Sequence, residues 1–275
     1  QSLLASLLLN RHRSHPRDVI ATLFWGDQSD QRARNCLSTA MWRLRRVLEP
    51  DGVPQGTYLL SNPSGEVGLN NDSMIWLDVT DFQSHIHSLI ERPLDQLTDA
   101  DIEAASHAIT LYKGDLLDGL YDDWALVERE RLRTLYLGAL ETLVHYFASR
   151  GEIHQSLEYA QRILALDILR EEIHRKVMHL YLLSGKRSLA VRQYEHCRQL
   201  LARELGVDPL PETQALYYQA LGTAAEIPTV SASATLTDTA SLQIILSGIT
   251  QAIAAIDSAQ AHLRRTLDQA FVNMS

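Results

Sequence analysis

A stretch of fifteen residues near the start of the chain concentrates side chains that suit contacts with nucleic acid. Five of the eight arginines among the first 75 residues lie between positions 32 and 46, interleaved with asparagine, serine and threonine. Arginine can pair with guanine and asparagine with adenine through two hydrogen bonds each, while hydroxyls reach bases or phosphates. The pattern predicts a DNA contact surface. Its candidate residues are Arg32, Arg34, Asn35, Ser38, Thr39, Arg43, Arg45 and Arg46.

The apolar residues of the same stretch predict how these side chains are positioned. They recur every three or four positions, which places them on one side of a helix. These residues are Leu37, Met41, Leu44 and Leu48. The helix is expected to follow a cap at Ser29 or Asp30 and to end near Pro50. The other side then presents Arg32, Asn35, Thr39, Arg43 and Arg46 to a DNA groove, with Arg34, Ser38 and Arg45 directed at phosphate.

The neighbouring elements indicate whether residues 32–46 form a DNA-binding helix or an ordinary solvent-exposed helix face. Apolar spacing predicts two short helices at 3–8 and 19–24, separated by a turn at 14–16. A β-hairpin is predicted over 57–69, with turn residues at its centre. Three helices followed by a hairpin have the docking geometry of a winged helix-turn-helix. Trp42 lies on the polar side, where it either joins the reading face or packs beneath the wing.

The distribution of charge is compatible with this reading. The 275 residues carry a net charge of −9, but residues 1–75 carry +1, residues 76–225 carry −8 and residues 226–275 carry −2. DNA binding depends on a local basic face and not on the total charge. The apolar run at 2–9 is far shorter than the roughly 20 residues of a membrane span. We therefore expect a cytoplasmic protein with no membrane partner, and with Cys36 and Cys197 as reduced thiols.

The second part of the chain has an internal repeat. From residue 81 to about residue 222 the pattern is helix after helix, and it matches itself at an offset of 34 residues. The matched pairs are Leu143 with Val177, Phe147 with Tyr181, Gly151 with Gly185, and Leu157 with Val191. This is the tetratricopeptide (TPR) period, in which stacked helix pairs share a core and form a groove for partners.

The last fifty residues are predicted to lie outside these two domains. Residues 223–241 are small and polar, which is typical of a linker. Residues 242–273 have an apolar stripe at helical spacing, which favours an amphipathic helix. Such a face needs a partner, and a homodimer through this helix is one possibility.

No pattern in the sequence indicates catalysis or a metal. The histidine pairs at 12 and 15, 85 and 87, and 174 and 179 lack zinc-site spacing. The acidic cluster at 115–123 has no central glycine and closing glutamate at the spacing of a calcium loop. There is no P-loop, nucleophile elbow or dinucleotide fingerprint. The chain is therefore predicted to be neither an enzyme nor a metal or cofactor binder.

Several longer motifs resemble a known family. The segments DVIATLFWG at 18–26, RNCL at 34–37 and WRLRR at 42–46 resemble the winged helix of Streptomyces antibiotic regulatory proteins (SARPs). A second set resembles the bacterial transcriptional activator domain (BTAD) of the same regulators. It comprises WLDVTDF at 76–82, YKGDLLDG at 112–119, WALVERER at 124–131, EEIHR at 171–175 and ELGVDP at 204–209. The resemblance spans residues 2–221.

This resemblance implies a function for both domains. In the family, the third helix of the winged helix binds direct repeats in promoter DNA, and the activator domain packs on the winged helix and helps to engage RNA polymerase. The chain begins within the first helix, so the sheet that precedes this helix in the family is expected to be missing.

The predicted protein is mainly α-helical. It has a winged helix-turn-helix at 1–75 without the N-terminal sheet, a TPR-like activator domain at 76–222, and the linker and amphipathic helix described above. The predicted function is transcription activation through promoter DNA and RNA polymerase. The alternative is a TPR-like interaction scaffold or sensor module, in which the winged helix is only an interface and does not bind DNA.

Overall fold

The computed structural model of the chain describes residues 1–61 and 65–222, which are mainly helical. The N-terminal elements are α1 (Ser2–Leu9), β1 (His15–Pro16), α2 (Arg17–Trp25), α3 (Asp30–Leu48), β2 (Leu59–Ser61) and β3 (Glu66–Leu69). They are followed by α4 (Asp78–Glu91), a 3-10 turn (Leu94–Gln96), α5 (Asp99–Leu111), α6 (Asp123–Ser149), α7 (Ile153–Leu166), α8 (Glu171–Leu183), α9 (Arg187–Glu204) and α10 (Pro211–Leu221). The predicted linker and C-terminal amphipathic helix lie outside the described residues.

The first three helices and the hairpin enclose one small core. Leu7, Ile20, Leu37 and Leu59 are fully buried there, one from each of α1, α2, α3 and β2. The hairpin is antiparallel, with Leu59 opposite Leu69. This arrangement of elements is the predicted winged helix.

A short strand replaces part of the turn predicted at 14–16. In β1, His15 pairs with Val67 and Pro16 with Glu66, so the sheet has the order β1, β3, β2. Pro16 has no N–H to donate, and it is tolerated because β1 lies at the edge of the sheet. The sequence pattern missed this strand because two residues are too few to show alternation.

Helix α3 follows its predicted apolar stripe. Leu37 and Met41 are buried, while Leu44 and Leu48 are partly buried against the same core. Ser29 is the N-cap residue of the helix, at one of the two predicted positions, but its side chain makes no capping hydrogen bond. Asp30 is the first residue of α3, where its negative charge is favourable near the positive end of the helix dipole.

Residues 78–221 form antiparallel helix pairs. Helix α4 packs on α5, α6 on α7 and α8 on α9, while α10 closes the stack against α8 and α9. Leu143 and Val177, which match at the 34-residue offset, are both buried in the shared core.

The 34-residue repeat includes the backbone hydrogen bonds of the turns between helices. After α6, Gly151 donates its N–H to the carbonyl of Ala148, and Glu152 donates to that of Phe147, at 3.2 and 2.9 Å. These two bonds form a Schellman motif, which requires a left-handed residue. Both bonds recur after α8, where Gly185 donates to the carbonyl of Leu182 and Lys186 donates to that of Tyr181. Gly151 and Gly185 have φ angles of 75° and 71°.

We expect Gly185→Ala to lower the free energy of unfolding by about 1 to 2 kcal/mol, since an L-residue is strained in this conformation. A Cβ at Gly185 would meet no atom within 4 Å, so the loss would come from the backbone alone. Gly114→Ala is the matched control, because Gly114 is equally open and lacks a positive φ. Urea unfolding should leave the control unchanged or slightly stabilised. Equal stability of the two variants would contradict the prediction.

Residues 1–221 form one compact unit. The ring centroids of Phe24 on α2 and Trp124 on α6 lie 5.9 Å apart, in an edge-to-face arrangement. Arg11 donates a hydrogen bond of 2.9 Å to the carbonyl of Ile75. The ring contact connects the winged helix to the segment that follows it, and the hydrogen bond holds the last residue of the winged helix to the turn after α1. Among the described helices, none is both long and apolar enough to cross a membrane.

Candidate nucleic-acid interface

One side of α3 is solvent-exposed along its whole length. The exposed residues include the five predicted to face a groove: Arg32, Asn35, Thr39, Arg43 and Arg46. No aspartate or glutamate occurs from residue 31 to residue 48, so this face has no internal acid to neutralise its arginines. These side chains are exposed in the presence of the activator domain, which does not occlude them. The helix therefore presents a basic, polar ridge.

Trp42 belongs to this ridge. It is 58% exposed, so it does not pack beneath the hairpin as the alternative interpretation suggested. The Arg46 guanidinium carbon lies 5.2 Å from the Trp42 ring centroid, within the range of a cation–π contact. This contact preorganises Arg46 along the helix and leaves both side chains accessible to a ligand.

Arg34 and Ser38 lie on the edge of α3 that faces α2. The Arg34 Nε donates to an Asp18 oxygen at 2.7 Å, and this hydrogen bond raises the pKa of Arg34. The Ser38 hydroxyl donates to the Arg34 carbonyl and accepts from Arg17, both at 2.9 Å. An exposed ion pair contributes little net energy, so a phosphate can compete with Asp18 for Arg34.

Arg17 extends the basic edge and was missed by sequence reasoning. It is the first residue of α2, and its side chain reaches Ser38 from across 21 positions of sequence. The sequence feature that could have suggested Arg17 was its position just before the predicted helix at 19–24. The spacing on α3 could not reveal it, because the contact is between helices.

Arg45 does not join the exposed face. Its Nε lies 3.2 Å from a Glu49 oxygen, its Nη2 is 3.4 Å from the Leu59 carbonyl, and the side chain is only 29% exposed. The prediction that Arg45 reaches phosphate conflicts with this placement, because the side chain is engaged between α3 and the hairpin. We remove it from the candidate set and assign it a structural role.

The partner of Arg45 connects α3 to the hairpin. One Glu49 oxygen accepts hydrogen bonds from the N–H groups of Gly56, Tyr58 and Leu59, at 3.1, 2.9 and 2.9 Å. Burial by itself would raise the pKa of Glu49, but these three donors and Arg45 outweigh it and lower the pKa. The carboxylate therefore holds the end of α3 against the start of the hairpin.

His174 and Cys197 both lie in structural surroundings. His174 is buried, with Nε2 2.9 Å from the Ile168 carbonyl and Nδ1 2.6 Å from the Gln193 amide nitrogen, and burial lowers its pKa. Burial also raises the pKa of Cys197 to about 12, which makes this thiol unreactive at neutral pH. Within residues 1–61 and 65–222, no three His, Cys, Asp or Glu side chains are grouped to hold a metal ion.

Proteins similar to this chain are regulators of transcription. The family described as "Bacterial transcriptional activator domain" matches residues 77–221. The regulatory protein AfsR of Streptomyces coelicolor is 29% identical over 245 residues, which are 88% of this chain and 24% of AfsR. The transcriptional regulatory protein MoaR1 of Mycobacterium tuberculosis is 26% identical over 226 residues, which are 80% of this chain and 71% of MoaR1. The chain thus spans about a quarter of AfsR.

A solved structure has a similar fold. The structure described as "Mycobacterium tuberculosis EmbR in complex with low affinity phosphopeptide" matches with a TM-score of 0.60 and 22% sequence identity. The match covers 80% of this chain and 58% of the EmbR chain. At this identity the likeness concerns the fold alone.

Proposed function

The chain belongs to the bacterial transcriptional activator domain family, with relatives of the SARP type, and from this premise we propose that it regulates transcription by binding promoter DNA through α3. The single observation that carries the proposal is the exposed ridge of α3, which faces solvent while its opposite side is buried in the winged-helix core. The relatives AfsR and MoaR1 are regulatory proteins, which supports the same role here.

The chemistry of the ridge suits a major groove. A groove about 12 Å wide admits an α-helix, and its base edges offer acceptors to arginine and a donor and acceptor pair to asparagine. We assign base reading to Asn35, Arg43 and Arg46, with Arg32 and Thr39 at the margins of the face. Arg17, Arg34 and Ser38 form the edge that meets the phosphate backbone, where they position the helix without reading sequence.

Activation would require a second contact. By family resemblance, residues 77–221 would engage RNA polymerase while the winged helix holds the promoter. A homodimer through residues 242–273 stays a prediction, since these residues lie outside the described part. A protein with this function is expected to act in the cytoplasm.

The exposure of α3 favours DNA binding over the scaffold alternative. If the winged helix were only an interface, we would expect the polar side of α3 to be covered by its neighbours or to be neutralised by acids. It is neither covered nor neutralised within the described residues.

Selection of bound sequences from a random double-stranded DNA pool tests the proposal. We expect enrichment of a short motif, because each correct base contact contributes about 1 to 3 kcal/mol of discrimination. Repeating the selection without residues 232–275 shows whether the C-terminal segment sets the spacing of two half-sites. Recovery of no motif from the full chain at low salt, with the protein folded, would contradict the proposal.

A further inference from the structure

A cavity in the activator domain lies between three helices that take no part in the winged helix. It has a volume of about 330 Å³ and is lined by residues of α6, α8 and α10. Its charged and polar lining includes Glu141, His145, Glu172, Arg175 and Lys176. This volume lies at the lower end of the range for small-molecule sites, roughly 300 to 1,000 Å³.

The two acids of the cavity share one arginine as their ion-pair partner. Arg170 contacts both of them, Glu141 through Nη1 and Glu172 through Nε, the latter at 3.0 Å. One guanidinium therefore bridges α6 and the start of α8 and contacts both carboxylates. With Arg175 and Lys176 included, three cations face two acids, which leaves a net charge of +1.

Those remaining cations, Arg175 and Lys176, have no carboxylate partner. Among the residues that the structure describes, no carboxylate oxygen lies within 4.0 Å of either side chain. Arg175 donates to the hydroxyl of the fully buried Thr213 at 3.3 Å, and Lys176 Nζ lies 3.5 Å from His145 Nδ1. Both side chains are half-buried. Two half-buried cations at consecutive positions of α8, neither paired with a carboxylate, form an environment that favours an anion.

The neighbouring histidine does not compensate for the missing acid. Burial first, and the charge of Lys176 second, lower the pKa of His145, which favours the neutral ring. Ile173 is buried and Leu216 is half-buried, and they add an apolar wall beside the two cations. The cavity thus combines a guanidinium fork, an ammonium and an apolar surface.

We propose that this cavity binds a small molecule that carries an oxyanion, either a carboxylate or a phosphate, on an apolar body. The Arg175 guanidinium matches two oxygens of such a group in a planar, bidentate way, and Lys176 adds a point charge. The apolar body would pack on Ile173 and Leu216. The site joins α6, α8 and α10, so its occupancy would tighten the helix stack that the activator function uses.

Titration of the full chain with benzoate and with phenyl phosphate, followed by NMR of the histidine rings, tests this site. We expect saturable shifts of His145 and His179, which line the cavity, with a dissociation constant of about 1 mM for probes of this size. The exposed His107 on α5 should not shift. Saturation by benzoate alone identifies a carboxylate site, and tighter binding of phenyl phosphate identifies a phosphate site. Saturation by neither probe at constant ionic strength overturns the proposal.

Charge variants separate a built site from general attraction. Lys176→Gln should weaken probe binding by about tenfold, the effect of one charged hydrogen bond. Lys176→Arg should restore most of it. Lys186→Gln is the matched control, because Lys186 is exposed in the turn after α8, outside the cavity, and loses the same charge. Equal binding by the two glutamine variants would overturn the proposal. Thermal unfolding of each variant checks that the domain is intact.

The test is independent of DNA binding. The site shares no residue with α3, so a chain that fails to select DNA should still bind the probe. The converse result, DNA selection without probe binding, would remove the cavity proposal and leave the proposed function standing.

Discussion

Replacing Arg43 and Arg46 together by alanine should weaken binding to the selected DNA by roughly a hundredfold, or about tenfold for each arginine. Both side chains are exposed on the ridge of α3, and neither forms an ion pair within the described residues. The salt dependence, the slope of log K against log salt, should become shallower as well, because each arginine removed from the groove takes away a positive charge that displaces counterions from the DNA. Fluorescence anisotropy of labelled DNA over a series of salt concentrations measures both effects.

The control for this variant removes two arginines elsewhere. Arg162 and Arg198 are exposed in α7 and α9, where each pairs with a glutamate of its own helix, at 2.7 and 2.9 Å. Arg162→Ala with Arg198→Ala changes the net charge by the same amount and should leave affinity and slope nearly unchanged. If both double variants lost affinity equally, the effect would be one of overall charge, and α3 would lose its assignment as the reading helix.

The position of the ridge could be predicted because one local pattern determines it. Leu37 and Met41 anchor the inner side, and helical geometry then places Asn35 and Arg46 on the outer side without any further contact. The repeat could be predicted for a similar reason. Gly151 and Gly185 are followed by the same local hydrogen bonds, so the sequence repeats wherever the turn repeats.

What could not be predicted depends on contacts between segments. Arg45 lies on the same helix as the exposed arginines and is chemically identical to them. Only its contacts with Glu49 and the Leu59 carbonyl show that its side chain is held between α3 and the hairpin. The contact of Arg17 with Ser38 depends on the packing of α2 against α3. The pairing of Phe24 with Trp124 joins residues that are a hundred positions apart. None of these contacts produces a periodic signal in the sequence.

Glu49→Ala should lower the free energy of unfolding of the winged helix by about 3 kcal/mol. The substitution leaves three partly buried N–H groups without their acceptor. Each unsatisfied N–H group costs about 1 to 3 kcal/mol if no water molecule replaces the acceptor. The Glu49 side chain is 1% exposed, so water cannot replace the carboxylate without opening the contact between α3 and the hairpin. Urea unfolding at pH 7, followed by the fluorescence of the four tryptophans, measures the loss.

The pH dependence gives the same residue a second signature. The folded state lowers the pKa of Glu49 below its ordinary value of 4.5, so the unfolded state takes up a proton first as pH falls. The stabilisation is therefore complete above pH 4.5 and is lost as pH falls through the folded pKa. Glu49→Gln keeps an oxygen for the three N–H groups but has no charge to titrate, so its stability should fall less over this range.

Glu103 provides the control because it is exposed on α5, where Glu103→Ala should change stability by less than about 0.5 kcal/mol. If Glu49→Ala were as stable as this control, the carboxylate would not hold the hairpin to α3. A Glu49→Ala chain that is destabilised but still folded at 10 °C would then separate two roles. If this variant also binds DNA more weakly, base reading by α3 requires the hairpin to be held in place. If its DNA affinity is unchanged, recognition depends on the helix alone.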